Sequence, residues 1–450
     1  MGRTLLFGAA YIRRTVSLAL LACACLPAGA TLPDQEPGKA SVGKATVPAV
    51  TAEAAIVVDA LEGRILWSHN ADRRMYPASL TKMLTCAVAL EESADTSRMV
   101  TIAPEVAAVP ETGLALATGE RLPLLTLIEA ALIYSANDAA AAVAQGTSGN
   151  VAAFVELMNR RAAEWGARNS HFANPHGLHS EQHWSTARDL AIIARHAMSI
   201  PQFEEIAAMK QVTIRRPARV AANPGAAVPT IGSMAEPRVF HTRNRLLNHW
   251  DLCDGIKTGY TRHAGRCLAS SATGDGWRAI CIVLQSKDIW SDSRALLTWA
   301  LQNHELRTVV TAGKGEWQTK VHDGVDRQVA CLPDRDVVLV QPRSAPRPEL
   351  RAVLDPVTAP VSATQPVGRL EVVVGGRTRK TVALVAAEDV ELSLWGRIKH
   401  ESIPGPYAQL LLCVAAGVLL IGTAAKATCA CRNRLPSRRR ADHPVGQSDH

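Results

Sequence analysis

Ser79-Leu80-Thr81-Lys82, Ser135-Ala136-Asn137 and Lys257-Thr258-Gly259 occur in that order along a chain of 450 residues. Together they hold the parts of an acyl-transfer site: a nucleophile, its base, an oxyanion pocket and a grip on the substrate. Ser79 supplies the hydroxyl. Lys82 follows three residues later, about one helical turn, so its amine can fold back onto the serine. To accept a proton that amine must be neutral, and burial or a second cation such as Lys257 would lower its pKa. Ser135 can relay a proton to the leaving amine, while Asn137 can hold Lys82 and bind substrate backbone. Lys257 and Thr258 offer a cation and a hydroxyl to a terminal carboxylate, and Gly259 admits the substrate close to the backbone. At a helix head the Ser79 N–H is free to face a developing oxyanion.

Each triplet alone is weak; Ser41-Val42-Gly43-Lys44 and Ser148-Gly149-Asn150 fit two of the patterns by accident. Context separates them. Pro77 and Ala78 precede the first motif and an apolar helical run follows it. Lysine is scarce, eleven in the whole chain, yet two of the eleven lie inside these motifs.

The elements that must carry the motifs are legible as patterns. Ala55 to Asp59 and Ile65 to Trp67 read as a hairpin turning at Glu62-Gly63. A helix follows Ser79, and the apolar stretch Leu124 to Ala144 breaks at the second motif. Val151 to Trp165 carries a helical stripe that ends at Gly166, and Ser185 to Met198 reads as another helix. Behind the third motif come the strand-like runs Cys267 to Ala269 and Ala279 to Leu284, then a helix over Arg294 to Leu301. Strands at both ends and helices between them predict a mixed α/β domain with an antiparallel sheet, over residues 51–305. From 306 to 400, short β-branched runs separated by Gly, Pro and Asp predict a small all-β domain without a catalytic motif.

Both ends read as topology signals. Residues 1–30 combine Arg3, Arg13 and Arg14, an apolar run and a small-residue cleavage site at Ala28-Gly29-Ala30, which is a secretory signal; lipid attachment at Cys23 competes with cleavage after Ala30. Residues 31–50 read as a linker. Tyr407 to Ala425 is uncharged and long enough to span a bilayer, and Lys426 with five arginines follows in the tail 426–450. The basic tail places itself in the cytoplasm and the preceding domains outside, on a single-pass protein of the cell membrane.

The net charge of +8 follows from this layout: the signal holds +3 and the tail +4, leaving about +1 between them. So neutral a segment offers no obvious surface for nucleic acid. Of ten cysteines, Cys86, Cys253, Cys267, Cys281 and Cys331 lie in the exported part. An odd number precludes complete internal pairing, although Cys267 and Cys281 on successive strands suggest one disulfide.

These residues resemble the low-molecular-mass penicillin-binding proteins, the serine D-alanyl-D-alanine carboxypeptidases. The likeness covers about residues 54–304 and rests on the spacing of the three motifs and on longer stretches. They are Tyr76 to Met83, Tyr134 to Ala140, Asn174-Pro175-His176-Gly177-Leu178 and Asp254 to Thr261. The resemblance implies a penicillin-binding-protein/β-lactamase-like transpeptidase fold, a small β domain and a C-terminal membrane anchor. It implies removal of the terminal D-alanine from peptidoglycan stem peptides ending in D-Ala-D-Ala, by an acyl-enzyme on Ser79 that β-lactams trap. By the same resemblance Tyr260 supplies the second oxyanion N–H. One departure touches the site: relatives often carry a carboxylate-binding arginine in the loop that here reads Lys287 to Arg294, with Trp290 near the expected place.

No spacing requires a metal or cofactor. His171, His176, His179 and His183 crowd together, but Pro175 and Gly177 make their segment a loop that lacks the paired histidines of a zinc-peptidase helix. His176 and Asp189 are expected to order the site's edge, Trp165 and Trp250 to sit in the core, and Glu120 and Glu129 to be solvated. Rival functions on the same residues are a D,D-endopeptidase, a β-lactamase, and a non-catalytic β-lactam sensor or cell-wall binding protein. The last would need a damaged triad, whereas this one is intact.

Overall fold

Ala54 to Val58 is apolar without alternation, which requires cover on both faces of its sheet. In the computed structural model, which describes residues 46–219, 231–234 and 236–400 together with 413, 414 and 417, that strand is an interior one, paired on both sides. Five strands, β1 (Ala54–Asp59), β2 (Ile65–His69), β3 (Cys253–Thr261), β4 (Gly265–Gly274) and β5 (Trp277–Ser286), pair antiparallel in the order β2-β1-β5-β4-β3. Because side chains alternate along a strand, Ala54, Ile56 and Val58 enter one core while Ala55 and Val57 enter another. On β5, Ile280, Ile282 and Leu284 join the first core, and Ala279, Cys281 and Val283 the second.

The first core is filled by α1 (Thr81–Glu92), α2 (Asn137–Ser148), α3 (Val151–Glu164) and α4 (Ala187–Ala197). Every residue of α1 from Thr81 to Ala89 is buried, the signature of a helix enclosed on all sides. The second core is closed by α5 (Ile289–Asn303) through Leu296, Leu297 and Ala300. α5 begins five residues earlier than the apolar pattern indicates. Asp288 caps it by accepting hydrogen bonds from the N–H groups of Trp290 and Ser291, both at 3.2 Å.

The chain forms two compact units, one comprising the described residues up to Arg307 with Val340–Ala345, the other Thr308–Leu339 with the described residues from Pro346. The second unit is built on β6 (Trp317–His322), β7 (Gln328–Pro333), β8 (Glu349–Leu354), β9 (Val357–Thr358), β10 (Pro366–Val374) and β11 (Arg377–Ala386). These form a sheet ordered β8-β10-β11-β7-β6-β9. Its core holds Val329, Cys331, Leu370, Val372, Val382 and Leu384.

Two expectations are corrected. Cys86, Cys253, Cys267, Cys281 and Cys331 are all free and buried. Cys267 faces the core of α1 and Cys281 that of α5, so the sheet lies between the two thiols. Glu120 is not solvated; it is buried and accepts hydrogen bonds from Nε and Nη2 of Arg216, each at 2.7 Å. Glu129 is half-buried, and burial raises its pKa. The expected signal segment, the expected linker up to residue 45, and the expected span and tail apart from residues 413, 414 and 417 lie outside the described residues. Among the described residues no helix is long and apolar enough to cross a membrane.

Candidate active site

Ser79 lies in a short 3-10 turn, Ala78–Leu80, that leads directly into α1. Lys82, one turn further, has no exposed surface. Its Nζ has three neighbours: Ser79 Oγ at 2.9 Å, Asn137 Oδ1 at 2.8 Å and the main-chain oxygen of His176 at 2.7 Å. The Asn137 amide is oriented by its own Nδ2, which donates to Pro110 O at 3.1 Å. Two of the three neighbours, the amide oxygen and the carbonyl oxygen, can only accept hydrogen bonds. A neutral amine therefore spends both N–H groups on Asn137 and His176, and its lone pair is left for the Ser79 hydroxyl. Burial holds the Lys82 pKa well below the usual lysine range; the charge of Lys257 lowers it further, and that of Arg243 adds to the effect.

The second motif sits at a break in the backbone. Leu124–Glu129 is α-helical, Ala130–Tyr134 widens into a π turn, and Ser135 takes a left-handed conformation at φ 69° before α2 starts at Asn137. Such breaks are frequent at functional positions. Asp138, buried on the first turn of α2, accepts from the N–H groups of Leu114 and Leu116 at 2.9 and 3.0 Å. It thereby fixes the loop that carries Glu111 and Thr112 to the cavity wall.

The third motif lies on β3, an edge strand of the sheet. A Cβ at Gly259 would lie 3.1 Å from Pro77 O and 3.2 Å from Ser79 N, so glycine keeps the space before the Ser79 amide open. Tyr260 beside it is 64% exposed. Ser79, Ser135, Asn137, Thr258, Gly259 and Tyr260 all border one cavity of about 970 Å³. Lys257 differs from the sequence expectation in its setting: it is 2% exposed, and its Nζ donates to Thr258 O at 3.1 Å. Burial, assisted by Arg243, lowers its pKa to about 7.

Supporting groups surround the motifs; His176 and Asp189 were expected at the site's edge, whereas Gly177 and His183 carried no role assigned from sequence. The segment Asn174 to Leu178 delivers the His176 carbonyl to Lys82, and it does so with Gly177 at φ +86°, where Ala78 O occupies the space a Cβ would need. His183 is buried and pushed down to about 4 by that burial. Its Nδ1 accepts from Ala173 N at 3.2 Å, so Nε2 carries the proton toward Thr81 Oγ1 at 2.7 Å, and Thr81 in turn donates to Ala78 O at 2.8 Å. Asp189 accepts from Asn169 N at 2.6 Å and Ser170 Oγ at 2.7 Å, ordering the entry to this segment. Trp165 is half-buried and stacks on His196 at 3.8 Å. Arg243 and Arg245 also border the cavity; being flanked by no motif pattern, they carried no sequence signal.

An antiparallel sheet faced by an enclosed helix, with a serine and a buried lysine at that helix's head, defines a serine acyl-transfer enzyme of the penicillin-interacting class. The profile of the D-alanyl-D-alanine carboxypeptidase family matches residues 41–288, and that of the penicillin-binding protein 5 C-terminal domain matches residues 304–392. The chain belongs to the D-alanyl-D-alanine carboxypeptidase family, the low-molecular-mass penicillin-binding proteins. It is 31% identical over 375 residues to D-alanyl-D-alanine carboxypeptidase DacA of Escherichia coli (strain K12), covering 78% of this chain and 87% of that protein. To DacA of Haemophilus influenzae it is 29% identical over 374 residues, covering 78% and 89%. The crystal structure of penicillin binding protein 5 from Haemophilus influenzae superposes with a TM-score of 0.62 at 29% identity, covering 77% of this chain and all of that one.

Proposed function

We propose that this hydrolase removes the terminal D-alanine from peptidoglycan stem pentapeptides through an ester on Ser79, and that Lys82 is the base. The observation that carries this reading is the environment of Lys82: a buried amine with two obligate acceptors and one serine hydroxyl around it. The Ser79 proton passes to Nζ as Oγ attacks the carbonyl carbon of the D-Ala–D-Ala bond. The oxyanion forms against the N–H groups of Ser79 and Tyr260. The proton then reaches the leaving nitrogen by way of Ser135, free D-alanine departs, and water releases the shortened peptide. Asn137 holds Lys82 and contacts substrate backbone. The substrate adds along the edge of β3 beside Thr258 and Gly259, and Lys257 contributes positive potential from beneath. β-Lactams acylate the same serine.

We place the catalytic unit outside the cytoplasmic membrane, exported by residues 1–30 and held by a span over 407–425; truncation before Pro404 should then release soluble, active enzyme. The test of the chemistry is direct. Wild type incubated with pentapeptide-rich peptidoglycan should yield tetrapeptides and free D-alanine by mass spectrometry. Ser79→Ala should abolish both this and penicillin labelling while remaining folded. Label recovered on Ser135 would refute the assignment, and cleavage of crosslinks without release of D-alanine would identify an endopeptidase.

A further inference from the structure

Removing a C-terminal residue requires that the enzyme recognise a free carboxylate, and the cavity presents several cations for the purpose. Lys257 is buried, drawn toward neutrality and already donating to Thr258 O. Arg266 donates to Lys287 O at 3.3 Å and acts on the Asp288 carboxylate. Lys287 is a point charge on a flexible stem, without the fork that matches a carboxylate. Arg243 lies over the Tyr134 ring, 4.9 Å from its centroid, on the wall that carries Ser135, and its charge acts on Lys82 and Lys257.

Arg245 is different. It borders the cavity with its guanidinium carbon 6.0 Å from the centroid of the Trp290 ring, and among the described residues that guanidinium has no ion pair or protein hydrogen bond. Asp288 on the same cavity wall is engaged elsewhere, its carboxylate accepting from Trp290 N, Ser291 N and Ser291 Oγ. Its mount is rigid: the adjacent Asn244, buried at 3% exposure, donates from Nδ2 to Gly255 O at 3.0 Å and accepts from Leu246 N at 3.1 Å. That bond ties the turn to β3 two residues before the Lys257-Thr258 pair.

Resting on the carboxypeptidase reading above, we infer that Arg245, backed by Trp290, is the residue that grips the substrate's terminal carboxylate and so makes the enzyme select free chain ends. A guanidinium kept without a protein partner, held over an aromatic face and fixed to the substrate-binding strand is preorganised for a bidentate anion. Arg243 instead sets the potential around the two buried amines.

The experiment compares a peptide ending in D-Ala-D-Ala with its C-terminal amide. Wild type should prefer the free acid. Arg245→Gln should lose on the order of 10–150-fold in kcat/KM on the acid, as for a charged hydrogen bond, and little on the amide, so the preference collapses. Arg245→Lys should recover part of it. Matching thermal midpoints establish that the variants are folded. A preference that survives in Arg245→Gln, or that collapses only in Arg243→Gln, overturns the inference while leaving the carboxypeptidase reading intact. A wild type that cleaves neither peptide overturns both.

Discussion

Gly177 offers a demanding test of how the site is built, because it touches no substrate and belongs to none of the three motifs. An alanine Cβ there would lie 1.9 Å from Ala78 O and 2.4 Å from Ala78 C, with Ser79 N at 3.0 Å. These are backbone atoms, so no rotamer relieves the overlap. Non-bonded carbon contacts lie near 3.5–4.0 Å, and the two segments must therefore part by about 1 Å or more. The left-handed φ of +86° adds about 1–2 kcal/mol for any residue with a Cβ, and overpacking adds about 1–3 kcal/mol. The movement falls where it matters most: one segment carries the His176 carbonyl that holds Lys82, the other carries Ser79. A misplacement of about 1 Å costs on the order of 100-fold in rate. Gly177→Ala should therefore be acylated by a fluorescent penicillin about 100-fold more slowly than wild type, and it should melt several degrees lower. Acylation within about threefold of wild type would show that the contact between this loop and the serine turn does not position the nucleophile.

Lys257→Met should raise stability at neutral pH by about 1–4 kcal/mol, the range for replacing buried charged groups by apolar ones, while lowering activity. With a native pKa of about 7 against an ordinary 10.5, the unfolded chain binds the extra proton between those values. Wild-type stability thus gains from rising pH in that window, and urea titrations at pH 7 and 9 should show the gain disappear in the variant. His176, His183 and His304 are pushed down to about 3, 4 and 4 by burial. Their contribution is present above pH 6.5 and lost as pH falls toward 4, at roughly 1.4 kcal/mol per pH unit for each group; His304→Leu should flatten that acid loss in thermal scans. Asp138→Asn should loosen the Leu114–Leu116 loop, seen as faster amide exchange there and weaker substrate binding.

What was legible from sequence divides by length scale. α1 was readable because burial on every side leaves a stretch apolar but for Thr81, Lys82 and Thr85, and β1 and β5 because strands covered on both faces cannot alternate. The motif side chains were readable because serine, lysine and asparagine are unusual in such apolar surroundings. Lys82 and Asn137 meet as the chemistry required. The His176 carbonyl was not readable, since every residue has one and only the path of the loop decides where it points. Arg245 was hidden for a related reason: an arginine on a polar turn is unremarkable until the fold brings Trp290 alongside. The fork between Glu120 and Arg216 spans 96 residues and leaves no local pattern.

The two buried lysines connect these levels. An amine sealed from water loses the solvation of its charged form, so the same packing that encloses α1 also favours the neutral form of Lys82 that the proposed base requires. That packing alone would leave a polar group unsatisfied in an apolar core. The Asn137 amide oxygen and the His176 carbonyl offset the loss, yet both also accept and so leave the lone pair directed at the serine. A donor in either place would compete with Ser79 for that lone pair. Asn137→Asp would instead put a carboxylate beside the amine, restore its charge and remove the base. The expected result is a well-folded protein whose acylation rate at pH 7 falls at least as far as that of Asn137→Ala. A faster Asn137→Asp would show that holding Lys82 in place matters more than keeping it neutral.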